Sequence, residues 1–226
     1  MKKFITALLG LSLLGAPVLA STEDPYVKHN SLEALGCMKL KECTKDVERI
    51  TDVSQLDHRY GPDWYGDTKA EIRSLIALLN ASGVEVYIGP DYYFPVANRG
   101  VYYTDVNRLF LNDSHVWHSE IFINVLRHEG WHAAQDCMAG TIDNSYIAII
   151  FNDYLIPDRA KIMADVRYRF FAPESIPWEQ EAIWAGGEAH MTTDALNACA
   201  AGQMWTEYEP TPKTREWLVK NNYIKQ

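Results

Sequence analysis

The sequence predicts an α+β fold in which a small mixed sheet is set between helical stretches. Three observations predict it. Apolar residues recur at helical spacing from Thr68 to Asn80, then change to the short alternating runs of strands between Val84 and Leu111. From Ser114 to Cys199 the helical period returns in long blocks. No internal repeat, low-complexity tract or Pro/Gly-rich linker interrupts residues 21–226, which therefore read as one domain.

The first segment is read as a secretory signal peptide over residues 1–20. Lys2 and Lys3 give a positive start, Phe4 to Leu14 a short apolar run, and Val18-Leu19-Ala20 a cleavage site. No cysteine follows that site, so a lipid anchor is not expected. The signal looks bacterial, which predicts an exported protein, periplasmic or secreted. Cleavage leaves 206 residues and, with Lys2 and Lys3 gone, moves the net charge from −9 to −11. So acidic a chain is a poor partner for nucleic acid or an anionic membrane surface. No later stretch approaches the length of a membrane span; Tyr146 to Phe151 is flanked by Asn144 and Asp153. Nothing in the sequence sets the oligomeric state.

The N-terminal helices are expected over residues 31–80. Ser31 to Ile50 has helical spacing at Leu32, Leu35, Met38 and Val47, and Gly61-Pro62-Asp63 marks a turn. Thr68 to Asn80 is the second helix, with Ile72, Leu75, Ile76 and Leu79 on one face and Gly83 as its stop. Strands follow over residues 84–111: Val84 to Ile88, Gly100 to Tyr103 and Arg108 to Leu111. A long helix is expected from Ser114 to Met138, capped by Asp113 or Ser114. Further helices are expected over Ser145 to Tyr154, Asp158 to Phe170, and Trp178 to Cys199, the last opened by Ser175 and Pro177. These complete the helical region 114–200, and the tail 203–226 has room for one short helix near Thr214 to Asn221.

The chemistry is concentrated in His128-Glu129-Gly130-Trp131-His132. Histidines four apart on a helix project from one face, so both imidazoles can reach one zinc ion at about 2.0–2.1 Å. Glu129, beside the first histidine, is placed to act as a general base on water at such an ion. Val125 and Ile121 continue the His128 face backward, so the motif prolongs a buried stripe. Polar groups at the end of a buried stripe need partners, and a metal supplies one. Decoration of a helix face by two histidines is the simpler alternative.

With the motif on a helix that follows a strand, the sequence resembles the zincin metallopeptidases. More narrowly, it is similar to the small gluzincins, whose third ligand is a glutamate on a later helix. The resemblance covers roughly Thr68 to Cys199. It implies a Zn2+ site, a peptide or protein substrate added along an exposed edge strand, here Gly100 to Tyr103, and hydrolysis of peptide bonds. The later helix offers two ligands in Pro177-Trp178-Glu179-Gln180-Glu181-Ala182. Glu179 with Ala182 fits an E-x-x-A pattern, and Glu181-Ala182 fits the thermolysin-like one. Glu179 is favoured because it shares a helix face with the small residues Ala182 and Gly186, with Glu181 as the alternative or as an outer partner.

Cys37, Cys43, Cys137 and Cys199 allow three pairings in an exported chain. Cys37 with Cys43 and Cys137 with Cys199 is favoured, because the second bridge would tie the motif helix to the proposed ligand helix. For oxyanion stabilisation, His190 is the first candidate, eleven residues after Glu179 on nearly the same face, ahead of Tyr168 and Arg167. Gln135, one turn beyond His132, is a candidate for orienting a ligand. Two readings from other classes compete: a zincin-like protein that binds metal or a partner without turnover, and an exported binding module using its aromatics. Trp117, Trp131 and Trp184 lie in helical stretches and read more simply as core or groove lining.

Overall fold

A computed structural model describes residues 27–225; the expected signal peptide and cleavage site lie outside the described residues. The first helix, α1 (Leu32–Lys39), is capped by Ser31, whose hydroxyl accepts from the Ala34 amide. The Cys37–Cys43 disulfide folds its end back, and Lys41 and Asp46 take left-handed backbone at φ 60° and 57°. That ends the helix well short of Ile50, which belongs instead to strand β1 (Glu48–Ile50). An unexpected helix, α2 (Val53–Tyr60), follows, started by a capping box of Asp52 and Gln55. Helix α3 (Lys69–Ala81) lies where expected and buries Ile72, Leu75, Ile76 and Leu79.

The sheet has the order β1-β2-β4-β3, with β2 (Glu85–Gly89), β3 (Gly100–Tyr103) and β4 (Arg108–Asn112). β2 and β4 are parallel; the two outer pairs are antiparallel, so the sheet is mixed and β3 is an edge. Strand alternation divides its side chains between two cores. Val86, Ile88, Leu109 and Leu111 face the larger core with α3 and the motif helix. Tyr87 and Phe110 face a smaller one with Leu35 and Met38 of α1.

The motif helix is α4 (Ser119–Met138). It starts five residues later than the sequence suggests because neither proposed cap is free for it. Asp113 accepts from Arg59 and from Tyr60 Oη (2.5 Å), and the Ser114 amide donates to Asn112. Residues 145–152, expected to be helical, form instead an irregular strap. The Ala148 amide donates to the Gln135 carbonyl (3.0 Å), and the Ile150 and Phe151 amides to the Glu181 carboxylate. β-Branched Ile147, Ile149 and Ile150 favour that extended course over a helix. Helix α5 (Asp158–Tyr168) agrees with expectation.

The stretch expected as one helix to Cys199 is two: α6 (Ile176–Gly187) and α7 (Met191–Ala200). Between them, His190 adopts φ 68°, a left-handed conformation that no α-helix continues through. Short helices α8 (Met204–Glu207) and α9 (Pro212–Lys220) complete the described chain. Both favoured disulfides are present, but Cys137–Cys199 ties α4 to α7, not to the helix bearing Glu179. Among the described residues, no helix is long and apolar enough to cross a membrane.

Candidate metal centre

The centre lies where α6 packs across α4. His128 and His132 stand one turn apart with their rings perpendicular, 5.0 Å between centroids. Glu179, in the first turn of α6, reaches between them: its Oε2 lies 3.3 Å from His128 Nε2 and its Oε1 3.6 Å from His132 Nε2. One ligand atom from each of the three residues falls within 4.8 Å of the others. The three could hold a metal ion.

The donor set fits that occupant. Two imidazole nitrogens and a carboxylate make a three-ligand set with room for a fourth group, which suits a catalytic ion more than a closed structural site. Glu179 Oε2 is also buried without a hydrogen-bond partner, even though His128 is close, and an orphaned buried carboxylate oxygen is costly unless a cation meets it. Protonation agrees. Burial pushes Glu179 up, but His128, His132 and the Tyr168 hydroxyl outweigh it and hold the carboxyl down at about 2. Burial lowers His132 below the usual histidine range, favouring the neutral ring a ligand needs. His128 is raised: burial opposes the charge, but Glu179 and Glu129 more than compensate.

Both rings have a further hydrogen-bond partner besides Glu179. His132 Nδ1 lies 2.8 Å from Gln135 Oε1, and the Ala182 backbone hydrogen-bonds to His128. The predicted orienting role of Gln135 thus has its geometry. Glu181 does not join the cluster. Positions two apart on a helix point about 200° from each other, so Glu181 turns under α6 while Glu179 faces the histidines. It is fully buried and accepts from Trp131 Nε1 (3.2 Å), Gln135 Nε2 (2.7 Å), the Ile150 amide (3.0 Å) and the Phe151 amide (2.5 Å).

Glu129 is buried against the edge strand. A side chain at Gly100 would place its Cβ 2.7 Å from Val125 Cγ1 and 3.0 Å from Glu129 Cγ, so only glycine lets β3 lie this close. The Tyr102 backbone hydrogen-bonds the Glu129 carboxylate. Burial raises the Glu129 carboxyl to about 7, with Glu179 adding to the effect and His128 and Tyr102 opposing it.

His190, the first-choice oxyanion donor, is not brought to this cluster. Sharing a face with Glu179 requires an unbroken helix; at the break between α6 and α7 the His190 amide donates to Glu71 Oε1 (2.9 Å), and its ring is exposed. Glu71 is also the bidentate partner of Arg127. Tyr168, the weaker candidate, is the one that arrives: α5 carries it against Glu179, and burial first, then Glu179, raises its hydroxyl well above the ordinary tyrosine range. Arg167 beside it is exposed. Sequence reading missed the strap altogether, since its link to Glu181 is a tertiary contact with no local signal. No protein-family model, no curated protein and no solved structure matches the chain.

Proposed function

We propose that this chain is a zinc-dependent peptidase of the gluzincin kind, acting on peptide or protein substrates outside the cytoplasm. The observation that carries the reading is the position of Glu129: a buried carboxyl near neutrality, next to three converged metal ligands and against the edge strand. His128, His132 and Glu179 would hold the ion. Zinc bound there would supply a Lewis acid for a scissile carbonyl and make water a stronger acid.

The chain's own residues supply the rest. Glu129, buried beside the three ligands and against β3, can accept a proton from water and return it to the leaving amine. Tyr168 stays protonated at any physiological pH; its one hydroxyl proton faces Glu179, and with that carboxylate taken up by an ion it would be a donor for the oxygen on which negative charge develops. β3 pairs on one side only, with β4, and its other edge can take an extended peptide as an added strand. The two disulfides and the lack of a membrane-crossing helix among the described residues agree with export.

The test is elemental analysis and peptide hydrolysis on purified wild type and Glu129→Gln. We expect about one zinc per chain in both, and a loss of turnover of about 100–10,000-fold in the variant. Zinc in both proteins with no wild-type turnover on a broad peptide library would reduce the reading to a metal-binding protein. Undiminished turnover in Glu129→Gln would remove Glu129 from the chemistry.

A further inference from the structure

Resting on the metal-site reading, we propose that Glu181 is a positioning residue for His132. It acts through Gln135 to hold the ring proton on Nδ1 and so leaves Nε2 free for the ion. Glu181 touches neither the histidine nor the cluster.

The hydrogen-bond directions carry the inference. Everything around the Glu181 carboxylate is a donor: Trp131 Nε1, two strap amides and one end of the Gln135 amide. Burial raises the Glu181 carboxyl and these donors oppose it; fixed N–H groups meet both oxygens, two strap amides on Oε1 and Trp131 on Oε2, so the group acts as an acceptor on each side. The nitrogen of Gln135 must therefore face Glu181, and the same nitrogen donates to the Trp178 carbonyl (3.1 Å). Turning the amide over would set its oxygen against a carboxylate and a carbonyl at once, leaving two buried acceptors in opposition. Gln135 is thereby fixed with Oε1 toward His132, and an amide oxygen can only accept, so the proton sits on Nδ1.

A competitor is present. Glu179 Oε1 lies 3.6 Å from His132 Nε2 and, in a metal-free chain, draws the proton toward that nitrogen. The 2.8 Å contact to Gln135 is the closer one, but it prevails only while Gln135 cannot turn. Glu181 and the Trp178 carbonyl together prevent turning, and Glu181, at 2.7 Å against 3.1 Å, makes the shorter contact. The same carboxylate pins the strap at Ile150 and Phe151, so the outer support of His132 and the course of residues 145–152 share one anchor.

The experiment reads imidazole nitrogen shifts of the metal-free protein by NMR, above the histidine titration range, and zinc affinity separately by chelator competition. Wild type should show His132 protonated on Nδ1. Gln135→Leu and Glu181→Gln should each move proton occupancy to Nε2 and weaken zinc about 10–100-fold. Trp131→Phe removes a donor from the same Glu181 oxygen without releasing Gln135, and should keep the Nδ1 proton, which a merely structural role for Glu181 would not distinguish. An Nε2 proton in wild type, or an unchanged tautomer in Glu181→Gln, overturns the proposal. Should Glu181→Gln fail to fold, an unchanged tautomer in Gln135→Leu overturns it equally. A wild-type Nδ1 proton that both variants displace, in a protein that binds no zinc, would support the positioning role and sink the metal reading.

Discussion

Glu179 and Glu181 show how far a residue's neighbours in sequence can leave its role open. Glu181 directly precedes Ala182 and Glu179 stands three before it on the same helix, and the choice between them depends on what α6 packs against. In the structure Glu179 meets the histidines and Glu181 meets four donors. The two therefore fail differently when replaced. Glu179→Ala removes a proposed ion ligand and leaves two imidazoles, so zinc measured after dialysis should fall from about one per chain to near zero. Retention of zinc by Glu179→Ala, with loss in a Glu181 variant that still folds, would reverse the assignment. The histidine pair was legible because a four-residue spacing on a helix is a local property. His190 was misread for the complementary reason: its position depended on helix continuity through Glu188 and Ala189, and a left-handed residue ended that continuity.

At the scale of elements, β2, β3 and β4 were readable as short apolar and aromatic runs bounded by turn residues, and α3 because its burial is one-sided and periodic, whereas β1, α2, the strap and the α6–α7 break depend on capping and tertiary contacts. Gly130 belongs to this scale. The sequence offers no reason for a glycine inside α4, and neither the edge strand nor the ion needs it; its neighbour is α7. A Cβ there would stand 3.0 Å from Thr192 Cγ2. Thr192 cannot rotate away freely, because its hydroxyl donates to the Arg127 carbonyl (2.9 Å) in a buried setting. Alanine is worth about 1 kcal/mol over glycine in a helix interior, so Gly130→Ala weighs that gain against a pinned contact. We expect the contact to win and Gly130→Ala to lower stability to urea, with Gly130→Val losing about 1–3 kcal/mol through overpacking. A stabilised Gly130→Ala would show that α7 can shift on α4 at little cost.

For the whole molecule, buried carboxyls set how stability follows pH. Glu85, paired with Arg108 and Lys41, is held at about 2 although burial opposes it, so its contribution is present above the usual glutamate value and lost as pH falls toward 2. Asp136 works in the other direction. It is fully buried on α4, accepts from Tyr102 Oη (2.7 Å), and leaves its Oδ1 without a partner. Burial raises its carboxyl to about 7 from an ordinary 3.8, with Tyr102 opposing. A group raised on folding stabilises fully below its unfolded value and loses that contribution as pH climbs through its folded value, so stability should decline between about pH 4 and 7. Glu129, also raised to about 7, adds to the decline in metal-free protein, so the Asp136 share is read as a difference between two chains. Asp136→Asn keeps an acceptor for Tyr102 and cannot ionise. Below pH 4 it should be the less stable of the two, since its amide protons gain no acceptor, a cost of about 1–3 kcal/mol. As pH rises toward 8 the wild type should lose ground to it steadily, and the two urea midpoints should converge or cross. Parallel pH profiles for the two proteins would mean that Asp136 stays ionised in the fold, with its Oδ1 satisfied by a water between α4 and β3.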